Sequence, residues 1–312
     1  MTNEPVGDRD TRRGDRGAAE SIRRRLRDTL RASGQDVQLG LQRYAIERFL
    51  YRLGNSRHRE RFVLKGATMF ALWGTVYRPT RDIDFTGYGS SDHADVLQAL
   101  REICAERDVV EVLTFDADTL RLEDIRDDEE YGGVRVVVDA VLGGACIPVK
   151  IDIGFGNDIV PGAEEAEYRT LLGDPPPRIR VYPPEAVVAE KLNAMVKLGE
   201  RNSRFKDFYD LYVMAGTFDF DGATLVRSVR ATFARRRTPL SLDVPLALGA
   251  AFFADAARQA QWRAYVNRSA LPSAPGDFQV VGEQLQRFLR PLWDGAVADT
   301  MATRWTPAEG WR

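Results

Sequence analysis

Two carboxylates, Asp82 and Asp84, alternate within Arg78-Pro79-Thr80-Arg81-Asp82-Ile83-Asp84-Phe85. A small-residue turn, Lys65-Gly66-Ala67-Thr68, precedes them across a short apolar stretch. A strand sends successive side chains to opposite faces, so both aspartates point the same way. Side by side they repel unless a cation lies between them. A hard divalent ion such as Mg²⁺ resolves the repulsion and brings substrate phosphates with it. A glycine between strand and helix lets backbone N–H groups approach an anion, and a helix start favours phosphate. Metal-assisted chemistry on a nucleotide is the reading that joins the two motifs. Each has an ordinary reading as well: a strand-to-helix turn, and a solvated strand end whose acids pair with Arg78 and Arg81.

Three later stretches can extend such a site. In Val149-Lys150-Ile151-Asp152-Ile153 apolar residues alternate with Lys150 and Asp152, which therefore share one face. A half-exposed strand explains this; so does a third carboxylate of a two-metal site, which clamps both oxygens of an in-line displacement at phosphorus. In Lys191-Leu192-Asn193-Ala194 the helical stripe is Val188, Leu192, Met195 and Val196. Lys191 lies at its edge, as a surface charge or within reach of a phosphate. In Arg204-Phe205-Lys206-Asp207-Phe208-Tyr209-Asp210-Leu211-Tyr212 the aromatic residues form a buried face, and Asp207 and Asp210 lie one turn apart. These acids read as a structural network, one of them able to orient Lys191.

The elements that must position these residues follow from pattern. Residues 1–17 are polar and read as a disordered tail. A basic helix is predicted over 18–33, a second over 37–53, a strand over 61–64, a helix from Thr68 and a strand from Ile83. A helix over 94–106 and an acidic loop over 123–130 come next. Val134–Leu142 and Ile147–Phe155 flank Gly143-Gly144 as a hairpin. Residues 156–177, rich in Gly, Pro and Glu, read as a loop, and 178–181 as a last strand. Pro184 and Glu185 open a helix, and the remainder reads as helical, with breaks near 216–222 and 271–276. The expected layout is a mixed α/β front half, residues 18–181, and a helical back half, 182–312. Arg227, Arg230, Arg235, Arg236, Arg237, Arg258, Arg263 and Arg268 read either as a phosphate-tracking surface or as the outer face of the helical bundle.

Composition excludes several classes. The chain has 312 residues, 44% hydrophobic and 29% charged, as a globular protein does. Its net charge of −2 demands no nucleic-acid partner in bulk. With His58 and His93 the only histidines, a His-based zinc site or a Ser-His-Asp triad is not expected. Cys104 and Cys146 are too few for a disulfide framework, and their apolar contexts predict buried thiols. No apolar run reaches membrane-spanning length and no signal peptide opens the chain, so a cytoplasmic location is expected.

Taken together, the motifs resemble the AbiEii/AbiGii family of nucleotidyltransferase toxins, which includes the mycobacterial MenT toxins. The matching residues are Phe62-Val63-Leu64-Lys65-Gly66, Arg78 to Asp84, Lys191-Leu192-Asn193-Ala194 and Lys206-Asp207-Phe208-Tyr209-Asp210-Leu211, within a similarity spanning about residues 37–295. The resemblance implies an α+β, polymerase-β-like nucleotidyltransferase core with a mixed sheet, followed by a helical domain that completes the cleft. It implies transfer of a nucleoside monophosphate from an NTP, with Mg²⁺ or Mn²⁺ as cofactor. The acceptor it implies is the 3′ end of tRNA, so that aminoacylation and growth stop. It also implies a cognate antitoxin as partner. Asp82 and Asp84 become metal ligands, with Asp152 at the third-carboxylate position. Lys191 contacts nucleotide phosphate, and Asp207 or Asp210 is the essential acid of the last motif. Lys65, Gly66, Ala67, Thr68 and Arg81 complete the nucleotide-binding set. The usual Gly-Ser turn is Gly66-Ala67 here, and Thr68 is expected to supply the missing hydroxyl. Nucleotidylation of a protein or small molecule, and an inactive partner-binding module, are the alternatives.

Overall fold

The computed structural model describes residues 7–32, 36–73, 80–106, 111–125, 133–156, 158–269, 271 and 274–312, without the side chains of residues 7–16. The chain divides into two compact units, changing from one to the other between Val181 and Tyr182, and Asp158–Glu164 groups with the second.

The first unit opens with α1 (Gly7–Ala32) and α2 (Val37–Asn55), then β1 (Phe62–Lys65), a short 3-10 turn (Ala67–Ala71) and β2 (Asp82–Gly87). After α3 (His93–Ala105) come β3 (Thr114–Ile125), β4 (Gly133–Leu142), β5 (Ala145–Phe155), β6 (Glu164–Glu167) and β7 (Arg178–Val181). The strands form one seven-stranded sheet in the order β3-β4-β5-β2-β1-β7-β6. It is mixed: β2 runs parallel to β5 and antiparallel to β1, and β1 is parallel to β7.

One face of the sheet is apolar and covered. Ile83 and Phe85 of β2, Ile151 and Ile153 of β5, and Val134, Val136 and Val138 of β4 are buried. Phe49 of α2 reaches the rings of Phe85 and Phe115 at 6.5 and 5.8 Å between centroids. The intervening residues of β2, β4 and β5 turn their side chains to the other, half-open face, as strand alternation requires. That face carries the polar residues. Behind the apolar face the charge is compensated: Glu111 accepts from Arg48 Nε at 2.9 Å and Arg52 Nε at 3.0 Å.

The second unit contains α4 (Pro184–Leu198), α5 (Phe205–Ala215), β8 (Phe220–Asp221), α6 (Gly222–Arg235), α7 (Ala250–Ala254), α8 (Ala256–Arg268), α9 (Phe278–Ala298), β9 (Arg304–Thr306) and β10 (Gly310–Trp311). Phe205 and Phe208 of α5 pack with Phe278 of α9 at 5.5 and 5.3 Å. This aromatic core fixes the α5 face opposite its two aspartates.

Several sequence expectations change here. α1 begins at Gly7, so the backbone of residues 7–17 is helical rather than a tail; residues 1–6 lie outside the described residues. β3 runs through Glu123–Ile125, where a loop was expected, and residues 126–130 of that expected loop lie outside the described residues. β6 interrupts the expected loop over 156–177. The back half is not wholly helical: β8, β9 and β10 make a small sheet. Cys104 is buried but Cys146 is exposed on the hairpin. Among the described residues no helix is long and apolar enough to cross a membrane.

Candidate active site

β1 ends at Lys65, and the chain turns at Gly66 with φ 74° and ψ −160°. That conformation is essentially restricted to glycine. A second constraint acts on the same residue: a Cβ there would overlap Asp84 Oδ2 and lie 2.9 Å from Asp84 Cγ. The Asp84 carboxylate therefore rests against bare backbone, as the first motif and the second meet. Asp84 is also the cross-strand partner of Lys65.

The proton of the Thr68 hydroxyl is committed within the fold. Thr68 is buried, and its Oγ donates to the carbonyl of Asp82 at 2.9 Å. A hydroxyl has one donor, and here it ties the turn to the start of β2. Ala67 is buried beside it. The expected helix after Gly66 is a five-residue 3-10 turn, so a helix macrodipole contributes little to anion binding there. The Arg81 side chain is exposed, and its carbonyl accepts from Gln42 of α2 at 3.3 Å. Arg78 and Pro79 lie outside the described residues.

Asp82 and Asp84 share the open face of β2, as alternation predicted. The parallel pairing with β5 sets Asp82 beside Lys150 and Asp84 beside Asp152. Lys150 Nζ donates to Asp82 Oδ2 at 3.1 Å. Asp152 is next to Asp84 in register, but both its oxygens are taken: Arg135 Nε and Nη2 each donate at 2.8 Å. That bidentate hydrogen bond raises the Arg135 pKa above its ordinary value. A charged row thus crosses four strands besides β2: Lys65, Asp84, Asp152, Arg135 and Glu123 are successive partners.

Among the described residues no group of three or more His, Cys, Asp or Glu is arranged to hold a metal ion. The expected set of three carboxylates is therefore not assembled, because Asp152 is turned into Arg135. Asp82 and Asp84 remain, the number of carboxylates Mg²⁺ takes when phosphate oxygens and water fill its other positions. The cradle at Gly66, which any side chain would fill, fits that role for Asp84.

In the second unit, Lys191 of α4 lies between the two aspartates of α5. Its ammonium donates to Asp207 Oδ1 at 3.0 Å and Asp210 Oδ2 at 2.6 Å. Only 12% of its side chain is exposed, so it is not a surface charge. Arg204 Nε also comes within 2.8 Å of Asp207 Oδ2, without hydrogen-bond alignment. Burial pushes the Asp207 pKa up, but Lys191 and Arg204 outweigh it and hold the carboxyl below its ordinary value. The sequence expectation that an aspartate orients Lys191 is realised by both.

The arginine set of the back half is largely engaged in the unit's own structure. Arg230 pairs with Asp299, Arg235 and Arg236 with Glu190, and Arg258 with Asp255. Sequence reasoning missed Arg135 and gave Lys150 no role. Alternation in Arg135-Val136-Val137-Val138 places Arg135 on the open face, but only the strand register brings it to Asp152.

No functionally curated protein matches the chain. Among solved structures, JHP933 from Helicobacter pylori is similar at 14% identity and TM-score 0.46, over 81% of this chain and 89% of that one. A second Helicobacter pylori protein, a proposed nucleotidyltransferase, is similar at 12% identity and TM-score 0.45, over 85% of this chain and 99% of that one. The family described as nucleotidyl transferase AbiEii toxin, of type IV toxin–antitoxin systems, matches residues 48–291. That span includes Gly66, both carboxylates of β2 and the Lys191 cluster, and the chain belongs to the AbiEii family of nucleotidyltransferase toxins.

Proposed function

We propose that this nucleotidyltransferase moves a nucleoside monophosphate from an NTP to the 3′ end of tRNA, with Mg²⁺ held by Asp82 and Asp84. The observation that carries the reading is the Asp84 carboxylate seated against Gly66, with Asp82 one alternation away. Bound Mg²⁺ offsets triphosphate charge. The acceptor hydroxyl attacks the α-phosphorus in line, an oxygen–phosphorus bond forms, and pyrophosphate leaves. An aspartate of the open sheet face takes the hydroxyl proton. Lys65 adds a positive charge at the same turn. Lys191, fixed by Asp207 and Asp210, is the lysine assigned to the nucleotide phosphates. Blocking the 3′ end would stop aminoacylation and growth, and a cognate antitoxin would restrain the enzyme.

The test is incubation with an α-labelled NTP and separate pools of tRNA, protein and small metabolites. Label is expected in tRNA, lost with Mg²⁺ chelation and in Asp82→Ala. Label in the protein or metabolite pool alone overturns the acceptor. Label that persists in Asp82→Ala overturns the metal-ligand role.

A further inference from the structure

We infer that α1 is a docking surface for the phosphodiester backbone of the RNA acceptor. The inference rests on the proposed RNA acceptor and adds where that acceptor is held. Over residues 17–32 the helix carries Arg23, Arg24, Arg25, Arg27 and Arg31 against two acids, Glu20 and Asp28, in a chain whose net charge is −2. All five arginines are exposed. Arg24, Arg27 and Arg31 recur at i, i+3 and i+7, which is one face of a helix.

Several arginines of the rest of this unit are paired, although others, such as Arg61, which reaches only the carbonyls of Asp95 and Ser90, are not; what sets α1 apart is five unpaired arginines within nine residues. Arg48 and Arg52 sit on Glu111, Arg57 on Glu102, Arg135 on Asp152, and Arg180 on Glu60. Among the described residues none of the five α1 arginines makes an ion pair. Arg23, Arg25 and Arg27 reach only backbone carbonyls, of Gly143, Leu172 and Arg23. The charge of this face is therefore left for a polyanion.

The face is also rigidly mounted. Ala19, Leu26 and Leu30 are buried on the opposite side of the helix. Gly40 of α2 leaves the space that Leu30 occupies: a Cβ there would come within 2.8 Å of Leu30 Cγ. Ala19 packs against Gly143, in the turn between β4 and β5. From that turn β5 leads directly to Lys150, which holds Asp82. Five strand residues span roughly 17 Å. A stacked nucleic-acid strand advances about 3.4 Å per phosphate, so the span of β5 from the Ala19 contact to Lys150 corresponds to about five nucleotides. An enzyme that reacts only with a terminal hydroxyl draws its affinity from such upstream phosphates, because the reacting end offers few contacts.

The experiment is fluorescence anisotropy with labelled, unfractionated tRNA across a salt series, using the full chain. The variant combines Arg24→Gln, Arg27→Gln and Arg31→Gln; these side chains are exposed and leave the packed face intact. Each lost phosphate contact removes about 0.7–0.9 from the slope of log affinity against log salt. The expected result is a slope smaller by about 2–3 and a Kd raised on the order of tenfold or more at low salt. Mg²⁺–NTP binding by calorimetry stays at the wild-type value, and three Arg→Lys substitutions at the same sites restore the slope. An unchanged slope with wild-type tRNA binding overturns the docking surface and leaves the acceptor reading standing. Loss of binding to anionic vesicles or to an acidic protein, with tRNA binding unchanged, also overturns it, in favour of that partner. A wild-type chain that binds no tRNA overturns the acceptor reading itself. Asp82→Ala should bind tRNA normally, which separates docking from catalysis.

Discussion

Replacing Gly66 with alanine tests the link between the turn and the carboxylate pair. The new Cβ would lie 2.9 Å from Asp84 Cγ and closer still to Oδ2, where carbon contacts are relaxed at about 3.5 Å. The carboxylate must retreat on the order of 1 Å. The backbone, at φ 74° and ψ −160°, is a conformation that costs a side-chain-bearing residue roughly 1–3 kcal/mol. For a unit of this size that is a Tm loss of roughly 2–10 °C. The functional loss should be larger than the stability loss, because a displacement near 1 Å in a reacting site costs on the order of 100-fold in rate. The assay pairs thermal unfolding with Mn²⁺ binding by electron paramagnetic resonance and incorporation of α-labelled NTP. Gly66→Ala should stay folded, bind Mn²⁺–NTP weakly and incorporate little label. Asp84→Asn, with the glycine intact, should lose metal binding without the thermal penalty. A Gly66→Ala chain with wild-type Mn²⁺ affinity and incorporation would refute the reasoning, since Asp84 would then not need the bare backbone.

Two further outcomes follow from groups the structure places precisely enough to perturb. Because Arg135 occupies both oxygens of Asp152, Asp152→Ala should leave the number of Mn²⁺ ions bound with NTP unchanged, whereas Arg135→Gln should raise metal affinity; loss of an ion in Asp152→Ala would show that the pair opens. Glu47 is buried beside Arg43 and accepts the Leu171 N–H at 2.9 Å, yet burial outweighs both and pushes its pKa up to about 7. Its folded pKa exceeds its unfolded value, so its stabilising contribution is whole below about pH 4.5 and is lost as pH rises through about 7, on the order of 3 kcal/mol in all. Urea unfolding between pH 5 and 8 should show that decline in the wild type and a flatter profile in Glu47→Gln; parallel profiles would count against it.

What the sequence made legible was periodic. Alternation placed Asp82 with Asp84 and Lys150 with Asp152, and the glycine pair at 143–144 marked the β4–β5 hairpin. Illegible were the features set by pairing between distant segments. Nothing local says that β2 lies parallel to β5, so neither the Lys150–Asp82 contact nor the Asp84–Asp152 neighbourhood is readable. β3 was hidden because its register shifts between Asp116 and Arg121, which breaks the alternation a strand would show. β8, β9 and β10 are two or three residues long, too short for any period, and β8 pairs with β9 across more than eighty positions. The type of Thr68 alone could not say where its hydroxyl proton goes; only the fold shows it donated to the carbonyl of Asp82.

Three of the five aspartates that the sequence made candidates are distinguished by what already holds their oxygens. Asp207 is buried and held by Lys191, with Arg204 beside it, and a metal drawn to it would have to break a desolvated ion cluster. Asp152 is in a bidentate pair, the strongest common geometry for a carboxylate and an arginine. Asp82 is different: one ammonium, from a side chain 31% exposed, touches one of its oxygens. A single flexible lysine in partly solvated surroundings is worth about 0–1 kcal/mol, so under the proposed function an arriving Mg²⁺–NTP would displace it at small cost. Once displaced, Lys150 stays on the same sheet face as a compact, mobile cation beside the incoming phosphates. These three carboxylates are thus ranked by the cost of exchanging their partners, and Asp82, held least firmly, is the one whose exchange the proposed metal role requires.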